Sequence, residues 1–116
     1  MSGTDQRTSA VKRRYPRHEI DTELLVTIHG ADERATLRGR SLNISEGGMA
    51  GVFVTEWDLG TSVLLEFSVP VTRSPVKVKG VVRSHSGYRC GFEFAYLDPV
   101  QRDIITRTCR TLALFE

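Results

Sequence analysis

The sequence predicts an all-β domain, an antiparallel barrel or sandwich with one C-terminal helix and a flexible N-terminal arm. Three observations predict it. Short apolar/polar alternations recur from Glu23 to Tyr96, turn residues rather than helical stretches separate them, and the apolar period lengthens at Asp98-Pro99. Short strands joined by turns favour closure into a barrel or sandwich over a parallel sheet, and closure removes exposed strand edges.

The elements follow in order. Residues 1–12 are polar, with almost no large apolar side chain, and are expected to stay disordered when alone. In the run Leu24 to His29, positions 24, 26 and 28 are apolar and 27 and 29 polar, which gives a strand with one buried face. Gly30 to Glu33 is a turn. Ala35 to Asn43 is a second strand carrying Arg38 and Arg40 on one side, and Gly48 to Thr55 is a third.

After the turn Asp58-Leu59-Gly60, Val63, Leu65, Phe67 and Val69 mark a fourth strand, which Pro70 and Pro75 bound. Val76, Val78 and Val82 mark a fifth, with Gly80 at a bend or bulge. Ser86-Gly87 is a hairpin signal. Tyr88, Cys90, Phe92, Phe94 and Tyr96 then alternate with Arg89, Gly91, Glu93 and Ala95, which puts the aromatic side chains on the buried face of a sixth strand. At the end of the chain, Asp98 is placed to cap, Pro99 to open and Gln101 to complete the capping box of a helix. Its apolar stripe is Val100, Ile104, Ile105, Cys109, Leu112 and Phe115, with Arg102, Arg107 and Arg110 opposite. The last two complement the helix dipole.

At 116 residues the chain is long enough for one core and too short for a second. The formal net charge is +2, but Arg7, Lys12, Arg13, Arg14 and Arg17 face only Asp5 within the first 17 residues. The whole positive excess therefore sits in the arm, which suits a small anion or a local phosphate contact better than extended nucleic acid. No apolar run approaches the ~18 residues of a membrane helix, and no signal-peptide core is present, so a cytoplasmic location is expected. Cys90 and Cys109 lack metal-binding spacing and are expected to pack as small apolar groups. His18, His29 and His85 likewise show no zinc pattern, no nucleophile elbow surrounds Ser45, and neither a metal site nor catalysis is expected. Trp57 reads as a partly buried packing residue, and Arg38, Arg40 and Arg83 as a solvated outer face.

Two short motifs carry chemistry. Arg13 and Arg17 stand four apart with Arg14 between them, stiffened by Pro16. Guanidinium groups bind phosphate or the O6/N7 edge of guanine bidentately and stack on purines; a solubilising basic arm has the same composition. Downstream, Asn43-Ile44-Ser45-Glu46-Gly47-Gly48 offers amide and hydroxyl groups beside two glycines that let a ligand approach the backbone; an Asx- or Ser-capped turn reads the same way.

Together and in this order, the motifs resemble those of the PilZ family, receptors for the bacterial second messenger cyclic di-GMP. The likeness rests on Arg-x-x-x-Arg at Arg13 and Arg17, and on Asn-x-Ser-x-x-Gly at Asn43, Ser45 and Gly48. It extends to Gly39-Arg40, to Gly91-Phe92-Glu93-Phe94 and to the Asp98-Pro99 helix start.

The resemblance implies a six-stranded antiparallel barrel with a C-terminal helix, a PilZ domain over 13–116 and an arm over 1–12. It implies a ligand held on the outer surface of the barrel by Arg13, Arg14, Arg17, Asn43, Ser45, Gly47 and Gly48, with Lys12 placed for a second, stacked copy. It further implies a stand-alone, non-enzymatic receptor whose arm is ordered by cyclic di-GMP and which relays the signal to a protein effector of motility, exopolysaccharide or transcription machinery. Family members that keep the barrel but bind no nucleotide give the alternative, a protein-interaction module. A third reading, a single-strand-binding barrel, needs aromatic side chains interleaved with basic ones on an outer face; here the alternation puts the aromatic groups inside.

Overall fold

The computed structural model describes residues 15–29 and 34–116. The arm over 1–12, Lys12, Arg13, Arg14 and the turn Gly30 to Glu33 lie outside the described residues. Among the described residues, seven strands and a helix follow in order: β1 (His18–Glu19), β2 (Glu23–His29), β3 (Arg34–Ile44), β4 (Gly48–Val52), β5 (Ser62–Phe67), β6 (Val76–Ser86), β7 (Arg89–Tyr96) and α1 (Pro99–Ala113).

Every pairing is antiparallel. The sheet runs β3-β2-β5-β6-β7-β4 and closes through β3–β4, so six strands form the barrel and β1 is an additional strand on β3. Inside lie the alternating side chains of each strand, among them Leu24, Val26, Leu65, Phe67, Val78, Val82, Cys90 and Phe92. Phe53 packs edge to face with Trp57 and with Phe92, centroids 5.1 Å and 5.9 Å apart, and Trp57 meets Phe92 at a tilt with centroids 5.9 Å apart. This geometry favours aromatic rings, whose electron-rich faces meet electron-poor edges.

The helix starts as its cap residues dictate. The Asp98 carboxylate accepts from the Gln101 amide at 2.8 Å, and the Gln101 side-chain oxygen accepts from the Asp98 amide at 3.1 Å. The other end of the Gln101 side chain donates to the Lys77 carbonyl at 2.7 Å, which fixes the helix start to β6. Ile105, Thr108 and Cys109 are buried beneath the helix. Burial, reinforced by the nearby Glu46 carboxylate, pushes the Cys109 thiol up to about 11; Cys90 is raised for the same first reason, burial, with Glu56 adding to it. Both remain protonated thiols near neutral pH.

Three expectations need correction. Tyr88 and Tyr96 are 66% and 64% exposed rather than interior, because Tyr88 belongs to the hairpin turn and Tyr96 ends its strand beyond a register shift at Lys79/Gly80. That shift coincides with Gly80, where the sequence suggests a bulge. The helical stripe is narrower than its pattern: Val100 and Phe115 are exposed, and Thr108 takes a place in the core. Residues 53–55 leave the third predicted strand to form a loop, while β6 runs on to Ser86.

The Thr108 hydroxyl is buried with no hydrogen-bond partner among the described residues. A buried donor left unpaired costs more than an apolar group of the same shape. Thr108→Val should therefore leave the urea midpoint unchanged or raise stability by up to about 1 kcal/mol, whereas Leu65→Ala, at a fully buried position, should lower it by about 2–5 kcal/mol.

Candidate ligand-binding cleft

β1 is only two residues long, yet it assembles the site. His18 pairs with Ile44 and Glu19 with Asn43, so the antiparallel register carries Arg17 alongside Ser45. The chain then bends through Ile20 to Thr22 and rejoins the same edge of β3 as β2. Ser41, 2% exposed, holds that bend: its hydroxyl donates to the Ile20 carbonyl at 2.6 Å and accepts from the Thr22 amide at 2.9 Å. On its other side, the buried His18 ring has Nδ1 3.1 Å from both carboxylate oxygens of Glu116, just beyond α1. The segment bearing Arg17 is thus fixed to a strand and to the end of the helix.

The second motif forms a tight turn from its own polar groups. The Ser45 amide donates to the Gly48 carbonyl at 2.8 Å, and the Gly47 amide donates to the Ser45 hydroxyl at 3.1 Å. The Gly47 carbonyl accepts from the Phe94 amide at 2.9 Å, which sews the turn to β7. Glu46 points the other way, its carboxylate 3.4 Å from the Thr106 hydroxyl on α1. Gly48 is needed for close approach: a Cβ there would run into the Phe92 carbonyl oxygen and lie 3.1 Å from the Glu93 Cα.

These elements enclose an open cleft of about 660 Å³ on the outside of the barrel, within the range of roughly 300–1,000 Å³ usual for small-molecule sites. One wall carries Tyr15, Arg17, Asn43, Ser45 and Gly47; a Cβ on Gly47 would lie 3.1 Å from the Tyr15 ring, so that ring stands directly over the turn. The opposite wall carries Arg83, Ser84, Arg89 and Glu93 from β6 and β7. Between the walls lie Gly48, Ala50 and Gly91, paired across β4 and β7. Apart from the Ser84 hydroxyl, which lies over Gly91, no side chain larger than a methyl group rises from this floor, and three guanidinium groups against one carboxylate make the cleft attractive to an anion.

Of the residues singled out from sequence, Arg17, Asn43, Ser45, Gly47 and Gly48 line this one cleft. Arg13, Arg14 and Lys12 lie outside the described residues. Arg38 and Arg40 are elsewhere, in exposed ion pairs with Glu23 at 2.9 Å and Asp21 at 2.7 Å. The sequence reading does not place Tyr15, Arg89, Gly91 or Glu93 at the site, and takes Arg83 for a solvated face. Their outward parity on β6 and β7 is legible, but the β4–β7 pairing that sets them against the second motif is not. Among the described residues no group of three His, Cys, Asp or Glu side chains is placed to hold a metal ion, and no helix is long and apolar enough to cross a membrane.

The cleft lies where Arg17 meets the second motif, and the family model of the PilZ domain matches residues 11–110. The chain belongs to the PilZ family. The family includes domains that bind cyclic di-GMP, as a ligand rather than as a cofactor. Among solved structures, the PilZ domain of YcgR from Escherichia coli with c-di-GMP is similar at 20% identity and a TM-score of 0.71, over 90% of this chain and 93% of that one. The PilZ domain of CeSA from a cellulose-synthesizing bacterium gives 16% identity and 0.67, over 84% and 98%. The Bacillus subtilis inhibitor of motility (MotI/DgrA) gives 20% and 0.66, over 89% of this chain and 52% of that one. At such identities the likeness establishes the fold. No curated protein matches the sequence.

The close packing at Gly48 gives a prediction. Gly48→Ala must push β4 away from β7, and should cost about 1–3 kcal/mol in denaturant unfolding. Gly47→Ala meets only a movable Tyr15 ring and should cost clearly less.

Proposed function

We propose that this PilZ protein is a cytoplasmic receptor for cyclic di-GMP. The observation that carries the reading is the meeting of Arg17 with Asn43, Ser45, Gly47 and Gly48 in one outward cleft. Cyclic di-GMP offers two purines and two phosphates, and the cleft offers a floor of small residues and guanidinium groups that suit both.

Arg17, with Arg13 and Arg14 from the preceding segment, takes phosphate oxygens and the O6/N7 edge of guanine. Asn43 and the Ser45 turn supply amide, hydroxyl and backbone groups to the base and ribose-phosphate. Micromolar binding corresponds to about −8 kcal/mol, and a bidentate guanidinium contact to a base is worth about 1–3 kcal/mol of discrimination. A few such contacts suffice even after the cost of fixing the ligand and the arm.

Lys12 is placed in sequence to meet a second ligand copy stacked on the first. The signal follows from the same contacts: ligand that gathers Arg13 and Arg14 onto the barrel changes the surface around β1, and a protein effector reads that change.

Isothermal titration tests this. The wild-type chain should bind cyclic di-GMP saturably at micromolar concentration, and Arg17→Ala should weaken binding by about 5- to 150-fold. Ser45→Ala removes the hydroxyl that shapes the turn and should also weaken it. Absence of heat with the wild type at roughly tens of micromolar ligand, about −6 to −7 kcal/mol, would overturn the reading.

A further inference from the structure

The cleft contains one feature that a purely anion-binding site would avoid. Glu93 projects from β7 into the wall facing the motif turn, and its strand position is paired directly with Gly48. Its carboxylate is held by Arg83, whose Nε lies 2.6 Å from Oε1. A carboxylate beside phosphate oxygens is repelled, so whatever part of a dianionic ligand faces Glu93 must present hydrogen-bond donors.

Guanine does so. Its Watson–Crick edge carries N1–H and the N2 amino group side by side, two donors at the spacing of two carboxylate oxygens. Adenine presents an acceptor, N1, next to the N6 amino donor, so one carboxylate oxygen would meet a lone pair. A carboxylate accepts about four hydrogen bonds, which leaves acceptor capacity on both oxygens after the Arg83 contact. Gly48 has no side chain to stand between a ligand and Glu93, and the Ser84 hydroxyl covers Gly91, so a ring edge that lies beside Gly48 can reach the carboxylate.

We infer that Glu93, fixed by Arg83, is the specificity-determining residue that reads the N1–H/N2–H edge of guanine and rejects adenine. The inference rests on the receptor reading above. It divides the labour of the cleft: Arg17 and its neighbours grip phosphate and the O6/N7 edge, while Glu93 decides which purine is accepted. Sites built to pair a hydrogen-bonding group discriminate strongly, because the wrong ligand leaves a polar group unmatched.

The test compares cyclic di-GMP with cyclic di-AMP on the full chain by calorimetric titration and competition, with melting temperatures measured in parallel. Wild type should prefer the guanine dinucleotide. In Glu93→Gln the side chain presents one acceptor and one donor, which matches adenine, so the guanine-to-adenine affinity ratio should fall by about tenfold or more, the range of one bidentate base contact. The melting temperature should stay close to wild type, because Arg83–Glu93 is an exposed pair. Glu93→Asp keeps the carboxylate and should retain the guanine preference. A ratio in Glu93→Gln within about twofold of wild type, less than 1 kcal/mol, overturns the inference while leaving the receptor reading intact. Wild type without saturable binding of cyclic di-GMP overturns both.

Discussion

The cleft depends on two residue pairs, His18 with Ile44 and Glu19 with Asn43, because their register brings Arg17 to the second motif. The pairing is too short to hold itself. Ser41 supplies the reinforcement by bonding both ends of the bend between β1 and β2, and the His18–Glu116 contact adds a restraint from the helix side. A buried serine that satisfies a carbonyl and an amide at once replaces ladder bonds that the bend removes, so the bend leaves neither group unpaired. Beyond the bend, the β1 register sets Arg17 beside Ser45.

The barrel contributes more than a platform. Its closure through β3–β4 and β4–β7 sets the motif turn directly against the outward faces of β6 and β7, so the cleft has two walls from distant parts of the chain. The floor is low because Gly48 carries no side chain and Ala50 only a methyl group, while the Ser84 hydroxyl lies over Gly91. Beneath it, Phe92 belongs to the aromatic cluster with Phe53 and Trp57, so the floor rests on packed rings and resists deformation. Glu46 links the same turn to α1, which places the helix within reach of any movement at the ligand site.

Much of this was legible in the sequence. The alternation of Val63, Leu65 and Phe67 and of Cys90 and Phe92 marks strands because a half-buried strand has a period of two, and Asp98-Pro99-x-Gln101 marks the helix start because those groups satisfy its unpaired amides. The motif residues are readable because their chemistry is local. β1 was not legible: two residues cannot show a period, and its partner lies 24 residues or more downstream. Nor were Arg89, Gly91 and Glu93 as cleft residues, since strand register is a long-range property that no local pattern encodes. Tyr88 and Tyr96 misled because alternation continues through a turn and a strand end where no core remains to face.

The central claim is that a ligand seats between the β1–β3 junction and the outward faces of β6 and β7. An amide chemical-shift map of the isotopically labelled chain, titrated with cyclic di-GMP, tests it most directly. The account predicts that the largest changes fall on Arg17 to Glu19, Asn43 to Ala50 and Arg89 to Glu93, with a weaker response in α1 around Thr106. Changes concentrated instead around Thr72 to Lys77, with the β1–β3 junction silent, would contradict it.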